Sequence, residues 1–420
     1  MSLFNQGKFL QSYAVILKNS FYLSLMESVQ LILPFIALPY VIKTIGAYHY
    51  GKIVLAQVIV GYFMIFVNFG SDILAIKLVS RNRYSKKRLN VITGAVFALK
   101  GITFFIGLTL FSLIVLTWQR IRIDWLLFYS AYLLCLTDVL FIPWFFQGIE
   151  KMFVITIVRC SSMFIYVICL LLFLKHSEKY YLVPLFQSSA LLLTSIYGFY
   201  YIFSKEKIRP VLPTTRFMKN FFKKSFPFFL SRSSVILNNS LATLVIGITM
   251  SPCNVAAYDL ARKIINIALV PVNMIIQAIY PHNVLKRDRR FAMNSFAGVI
   301  FFGAAGCAVL YFTAPYIVDF LGNRQLSAAV PMMRFLTIHV LICTFTYYLG
   351  SPLLVAWGHS KPFNDSVLIS SVIILVIYFI FYICSINSIY YYASAMIVSE
   401  LVILFYRVFY CIKYGIIKVS

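Results

Sequence analysis

Twelve apolar runs, each long enough to cross a bilayer, follow one another along this 420-residue chain with only short polar breaks. They fall at 20–42, 53–76, 91–117, 125–147, 152–174, 180–203, 226–249, 255–280, 291–320, 328–356, 366–386 and 389–411. A helix needs about 20 apolar residues to cross the hydrocarbon core, whereas a barrel strand needs about 10 that alternate in polarity. The runs are too long and too uniform for strands, and an open backbone cannot be satisfied in hydrocarbon, so helices remain. The pattern predicts an all-α polytopic membrane protein with 12 transmembrane helices. With 61% hydrophobic residues and a mean hydropathy of +0.88, no stretch is left over for a sizeable soluble domain.

The chain carries 37 Lys and Arg against 12 Asp and Glu, a net charge of +25. In a soluble protein that balance would point to nucleic acid; here the cations are sorted by side. With the amino end inside, the inner segments, with Arg407 near the inner end of the last span counted among them, hold 24 Lys and Arg, the outer loops seven, and the spans the remaining six. This asymmetry places both termini in the cytoplasm and makes most of the cations topology anchors against an anionic inner leaflet. No nucleic-acid partner is expected. The eight cysteines are scattered with no C-x-x-C and read as small apolar residues, not as disulfide or metal ligands. No G-x-x-x-x-G-K-S/T, H-E-x-x-H or G-x-S-x-G run occurs. Neither cofactor, metal nor catalysis is therefore expected, and an ion gradient or the membrane potential would drive any transport. The polar stretch Met1–Ala14 lacks a small-residue cleavage site, so no removable signal is expected.

The break at 204–224 is the longest and most charged, contains Pro210 and Pro213, and divides the spans six and six. The expected organisation is an N-terminal six-helix lobe at 1–204, a basic cytoplasmic linker at 205–224, a C-terminal six-helix lobe at 225–411 and a cytoplasmic tail at 412–420. Gly148-Ile149-Glu150-Lys151 echoes Gly358-His359-Ser360-Lys361, and Tyr180-Tyr181 echoes Tyr390-Tyr391, both 210 residues apart. Arg81-Asn82-Arg83 echoes Arg287-Asp288-Arg289 at 206. Because six is even, both copies enter the membrane from one side, which makes them parallel repeats about an axis along the membrane normal.

The segment Trp144-Phe145-Phe146-Gln147-Gly148-Ile149-Glu150-Lys151-Met152 resembles the signature of Wzx-type polysaccharide flippases. Asn68-Phe69-Gly70, Ala75 and Arg81 resemble that family's D-F-G … A … R stretch, and Ala257-Tyr258 with Ala261-Arg262-Lys263-Ile264 resembles its Y-x-x-A-x-K-I stretch. Two positions depart from it: Asn68 stands where Asp is common and Lys77 where Arg is common. The resemblance implies a MATE-like fold of the MOP superfamily, which also holds drug/cation antiporters and lipid II flippases. It further implies translocation of undecaprenyl-pyrophosphate-linked O-antigen repeat units across the bacterial inner membrane, by alternating access through a cationic central cavity. The implied partners are the lipid-linked oligosaccharide, membrane lipid, and a polymerase and chain-length regulator of the same pathway. A monomer is expected, because two lobes already supply a pathway.

An ionised side chain at mid-bilayer costs about 2.5–3.5 kcal/mol on insertion scales, so it faces a cavity or a partner. The span cations are Lys100, Arg159, Arg232, Arg262, Lys263 and Arg334, and the acids counted against them are Glu27, Asp138, Asp259 and Glu400. The excess of cations suits an anionic cargo, with Arg gripping phosphate oxygens as a fork and Lys acting as a point charge. The six are expected to line the cavity, with the acids as charge partners or ion-coupling groups. Simpler readings stand beside these. Asp259 can pair with Arg262 and Lys263 along one helix face, and Arg232 can snorkel to the inner surface. Trp118, Trp125, Trp144 and Trp357 suit an interfacial belt. Two other functions compete: an integral O-antigen polymerase, which would want a long outer loop that this chain lacks, and a MATE-type drug/cation antiporter, which would want an acid-lined cavity.

Overall fold

The computed structural model describes residues 2–322, 325–386 and 388–417, without the side chains of 2–17 and 238. The side chains of Lys8 and of the Met1–Ala14 stretch, Arg324, Lys418 and the end of the tail lie outside the described residues. Every regular element among the described residues is helical. The α-helices are α1 (Ser2–Asn68), α2 (Ser71–Arg81), α3 (Lys86–Thr117), α4 (Gln119–Arg122), α5 (Trp125–Leu140), α6 (Pro143–Gly148) and α7 (Met152–Phe173). They continue with α8 (Leu182–Tyr200), α9 (Thr215–Thr249), α10 (Pro252–Lys286), α11 (Arg289–Gly322), α12 (Ala329–Tyr348), α13 (Ser360–Ile383) and α14 (Ile389–Lys413).

Among the described residues, ten helices are long and apolar enough to cross a membrane, or eleven with the bent pair Thr215–Leu237 and Asn239–Thr249 taken as one span. The first covers Lys18–Arg81, 64 residues, which is roughly 95 Å of helix against a hydrocarbon core of about 30 Å. It breaks at Gly46, whose φ of 82° and ψ of 164° lie in a region open essentially to glycine alone. Two passes on either side of Gly46 make the count compatible with twelve. The loop expected at 43–52 is therefore helical apart from this glycine, because no proline interrupts it.

Prolines act unevenly. Pro143 splits the fourth expected span: Phe141 and Ile142 leave helical geometry, and Pro143 opens α6 near its first position, where a missing N–H costs nothing. Pro352 sits in a π-helical stretch, Leu349–Val355, that follows α12. Both breaks come shortly before the echoed Gly148 and Gly358, so the two halves share an irregular fourth span. Pro34, Pro39 and Pro271 are carried inside α1 and α10.

Contacts group the chain into two compact units, 1–46 with 56–235 and 47–55 with 236–420. The division differs from the expected one at 204 and 225, because the basic segment 205–224 is docked on the first unit. Val211 N–H donates to the Asn90 carbonyl at 3.1 Å and Arg209 N–H to Asn90 Oδ1 at 2.9 Å. The Val211 carbonyl lies 1.9 Å from where a Cβ on Gly94 would sit, so only glycine fits beneath it. In the second unit, Gly51 lies against the Pro252 backbone and Leu55 against Gly247, which explains why 47–55 groups there. The first core includes Leu74, Val79, Leu89, Val96, Phe145, Phe146 and Phe221; the second includes Val272, Ile276, Val299, Tyr348 and Leu353. Phe105, Phe301, Phe312 and Phe320 remain exposed, as suits helix faces that meet lipid.

Candidate functional site

Helices of the first unit turn one face each towards a cavity of about 490 Å³. On α7 the lining residues are Ile155, Arg159, Ser162, Met163 and Tyr166; on α5 they include Leu134, Thr137 and Asp138; on α8, Gln187 and Leu191. Steps of three and four residues keep each set on one face of its helix. Glu27 and Gln30 of α1, Asn68 at its end, Asp72 of α2, Trp144 and Gln147 of α6 and Arg232 of α9 complete the polar part of the wall.

Behind that wall lies a buried ion cluster. Lys100 Nζ sits 2.8 Å from Asp72 Oδ1 and 3.1 Å from Asp138 Oδ2, with its side chain 0% exposed, and it donates to the Asp138 carbonyl at 2.9 Å. Asn68 Nδ2 donates to Asp72 Oδ2 at 2.7 Å and to Asp138 Oδ2 at 3.2 Å. Lys100, expected to line a cavity, is not in the wall of this one: it holds two of the wall's carboxylates from behind. Its buried ammonium is satisfied by anions from two other helices.

Arg159 keeps the exposure Lys100 lacks. It is half-buried, its guanidinium lies 4.7 Å from the Phe141 ring centre, and it makes no ion pair among the described residues. Arg232 is exposed at the wall. Trp144 is 1% exposed and its Nε1–H has no acceptor among the described residues, where Asn68 Oδ1 is likewise buried without a donor. The wall of this first-unit cavity carries charges of both signs. Glu27, Asp72 and Asp138 face or back it together with Lys100, Arg159 and Arg232, three charges of each sign.

The segment 144–152 is largely architecture. Gly148 is buried, and a Cβ there would lie 2.5 Å from Val79 Cγ1, so α6 can approach α2 only through a glycine. Glu150 pairs with Arg83 at 3.0 Å, and its carbonyl accepts from Asn19 Nδ2 at 3.0 Å. Lys151 meets Glu206 at 2.5 Å. Burial pushes the Lys151 ammonium down, but the hydrogen bond and charge of Glu206 outweigh that and hold it above the usual lysine value. Trp144 and Gln147 are the two that reach the cavity.

The remaining candidates lie in the second unit. Asp259, 4% exposed, accepts from Tyr50 Oη and from Lys263 Nζ, each at 2.7 Å, and Lys263 also donates to Tyr50 Oη at 2.8 Å. Lys263 therefore follows the simpler pairing reading. Arg262 is half-buried, with its Nε lacking an acceptor among the described residues. Arg334 lies over Tyr311, 5.0 Å from the ring centre, and donates through Nε to the Tyr311 carbonyl at 3.3 Å, tying α12 to α11. Glu400 accepts from the Thr346 hydroxyl.

Three residues were missed. Asp72 and Asp319 also fall inside expected spans, so the spans hold six acids, not four. Asp72 was readable as a carboxylate four residues beyond Asn68. Arg407, counted as an inner anchor, is inside α14 and 4% exposed. It donates through Nη1 to the Thr346 carbonyl at 2.6 Å and through Nε to Ser366 Oγ at 3.1 Å.

Residues 16–283 match the family model described as "Polysaccharide biosynthesis protein". The chain is 22% identical over 373 residues to the "Putative O-antigen transporter" of Escherichia coli (strain K12), covering 86% of this chain and 89% of that one. It is 21% identical over 396 residues to the protein of the same name from Shigella dysenteriae, covering 91% and 96%. Among solved structures it is similar to an inward-facing multidrug resistance MATE family transporter of the MOP superfamily, with a TM-score of 0.65 at 12% identity over 91% of this chain and 96% of that one. A MOP superfamily transporter from Pyrococcus furiosus gives a TM-score of 0.55 at 15% identity over 96% of each chain. The fold is thus MATE-like.

Proposed function

The chain belongs to the polysaccharide biosynthesis protein family, and from that premise we propose that it is a flippase for undecaprenyl-pyrophosphate-linked O-antigen repeat units. It would work by alternating access across the bacterial inner membrane. The relatives named as O-antigen transporters and the MATE-like fold support a transporter rather than an enzyme. The observation that carries the cargo is Arg159: a half-buried guanidinium in the first unit's cavity that no carboxylate among the described residues neutralises by direct contact. Its planar fork matches two phosphate oxygens at once.

The rest of the wall suits a glycan. Glu27, Gln30, Asp138 and Gln187 can accept hydrogen bonds from sugar hydroxyls, and the unpartnered Trp144 Nε1–H can donate one. Lys100 matters indirectly. By holding Asp72 and Asp138 it offsets one of their two charges and so weakens the field that would repel a pyrophosphate. Moving an anion out of a negative interior is downhill by about 2.3 kcal/mol per charge per 100 mV, so no nucleotide site is required.

One observation favours a second reading. Three carboxylates in or behind the wall also suit a cation antiporter. Complementation of a flippase-null strain separates the two. Arg159→Ala removes charge-assisted bonds worth about 1.5–3 kcal/mol, or roughly 10- to 150-fold, and should abolish surface glycan at unchanged protein level, with Arg159→Lys restoring part of it. If Arg159→Ala displays full glycan while Glu27→Gln and Asp138→Asn lose resistance to a cationic dye, the antiporter reading holds instead.

A further inference from the structure

A second cavity of the first unit lies away from the one described. It measures about 450 Å³ and is lined by Leu78 and Asn82 at the end of α2, Lys87, Arg88, Val91 and Ile92 at the start of α3, and Phe217 of α9. Its walls are of two kinds. Leu78, Val91, Ile92 and Phe217 make an apolar floor, and Lys87 and Arg88 stand exposed at the mouth.

The mouth is organised. Asn82 ends α2, its Nδ2 donating to the Leu78 carbonyl at 2.8 Å. Its Oδ1 accepts from Arg88 Nη1 at 2.9 Å. That bond fixes the guanidinium by one arm and leaves its other donors for a ligand. No carboxylate among the described residues pairs with Lys87 or Arg88, although Arg83 nearby is taken by Glu150.

The surroundings have the composition that suits a bilayer interface. The first turns of α9 hold Arg216, Lys219, Lys223 and Lys224 exposed while Phe221 is buried, the pattern of a basic helix lying along a membrane surface. Exposed Tyr84, Phe222 and Phe226 add aromatics that favour headgroup depth.

An apolar slot with an unpaired cationic mouth at headgroup depth needs a ligand with a hydrocarbon body and an anionic head. We infer that this cavity is a discrete site for an anionic glycerophospholipid of the surrounding leaflet, its phosphate on Lys87 and Arg88 and the top of an acyl chain against Val91, Ile92 and Phe217. Its volume falls within the range of small-molecule pockets, so it takes one lipid rather than a diffuse annulus. The inference is independent of the cargo proposed above, because no residue is shared between the two cavities.

The test is native mass spectrometry of the full-length protein in detergent, titrated with phosphatidylglycerol, phosphatidylcholine or undecaprenyl phosphate. Wild type should retain one phosphatidylglycerol in preference to phosphatidylcholine. A Lys or Arg near an anionic surface is worth about five-fold, so Lys87→Gln with Arg88→Gln should weaken retention by roughly 25-fold. Val91→Trp keeps the cations and fills the slot, and should lose the bound lipid too. Lys223→Gln with Lys224→Gln removes as much charge from outside the cavity and should leave affinity within about two-fold. Equal retention by wild type and the Lys87/Arg88 variant, or retention by Val91→Trp, would overturn the site. Retention of undecaprenyl phosphate but not of phosphatidylglycerol would overturn the occupant.

Discussion

Lys100 shares one ammonium between Asp72 and Asp138, and Asn68 bridges the same two carboxylates from the other side. Removing the cation would leave two anions facing one another in a wall that excludes most water. Loss of one member of a buried ion cluster typically costs about 3–5 kcal/mol. Lys100→Met should therefore lower the thermal midpoint of the purified protein, followed by tryptophan fluorescence in detergent. Adding Asp72→Asn and Asp138→Asn, which removes the uncompensated charge, should recover much of the loss. A midpoint unchanged in Lys100→Met would mean the cluster is not formed. Arg159 is the opposite case: it is held by a ring rather than by an acid, so its replacement should touch cargo and spare stability.

The short helix α6 shows how one residue positions an element. Its contact with α2 runs through Gly148, where a Cβ would meet Val79 at 2.5 Å. Overpacking of this kind costs about 1–3 kcal/mol, and it would push Trp144 and Gln147 away from the cavity they line. Gly148→Ala should reduce both stability and surface glycan. Gly101 in α3 is the control: nothing lies within 4 Å of a Cβ there, so Gly101→Ala should gain up to about 1 kcal/mol of helix propensity. Equal effects of the two alanines in a melting experiment would refute the packing account.

In the whole molecule the two compact units do not coincide with the two halves of the chain. Residues 47–55 group with the second unit, where Tyr50 meets Asp259 and Lys263. Residues 205–235 group with the first. The bias in loop cations predicts one direction for the chain, with both termini inside. Alkaline phosphatase inserted between α3 and α5 should be active, and a fluorescent protein fused after the last helix should fluoresce. The reverse pattern would invert the topology and place the proposed lipid site in the other leaflet.

Particular elements show where reading the chain alone stops. Runs such as 91–117 and 389–411 reappear as α3 and α14 with shifts of a few residues, because the cost of placing a residue in hydrocarbon is local and adds along a segment. The polysaccharide family was legible in the residues around Trp144. Lys100 could be read as deep, but Asp72 and Asp138 lie 28 and 38 positions from it, and no spacing rule joins helices so far apart. Likewise Asn90 and Gly94 give no sign that 205–213 will lie across them. Hydropathy decided by itself that this chain is a bundle of membrane helices. Only the tertiary structure decided which charges meet, because that depends on how each helix is rotated and what stands beside it, quantities to which single-residue transfer energies are blind.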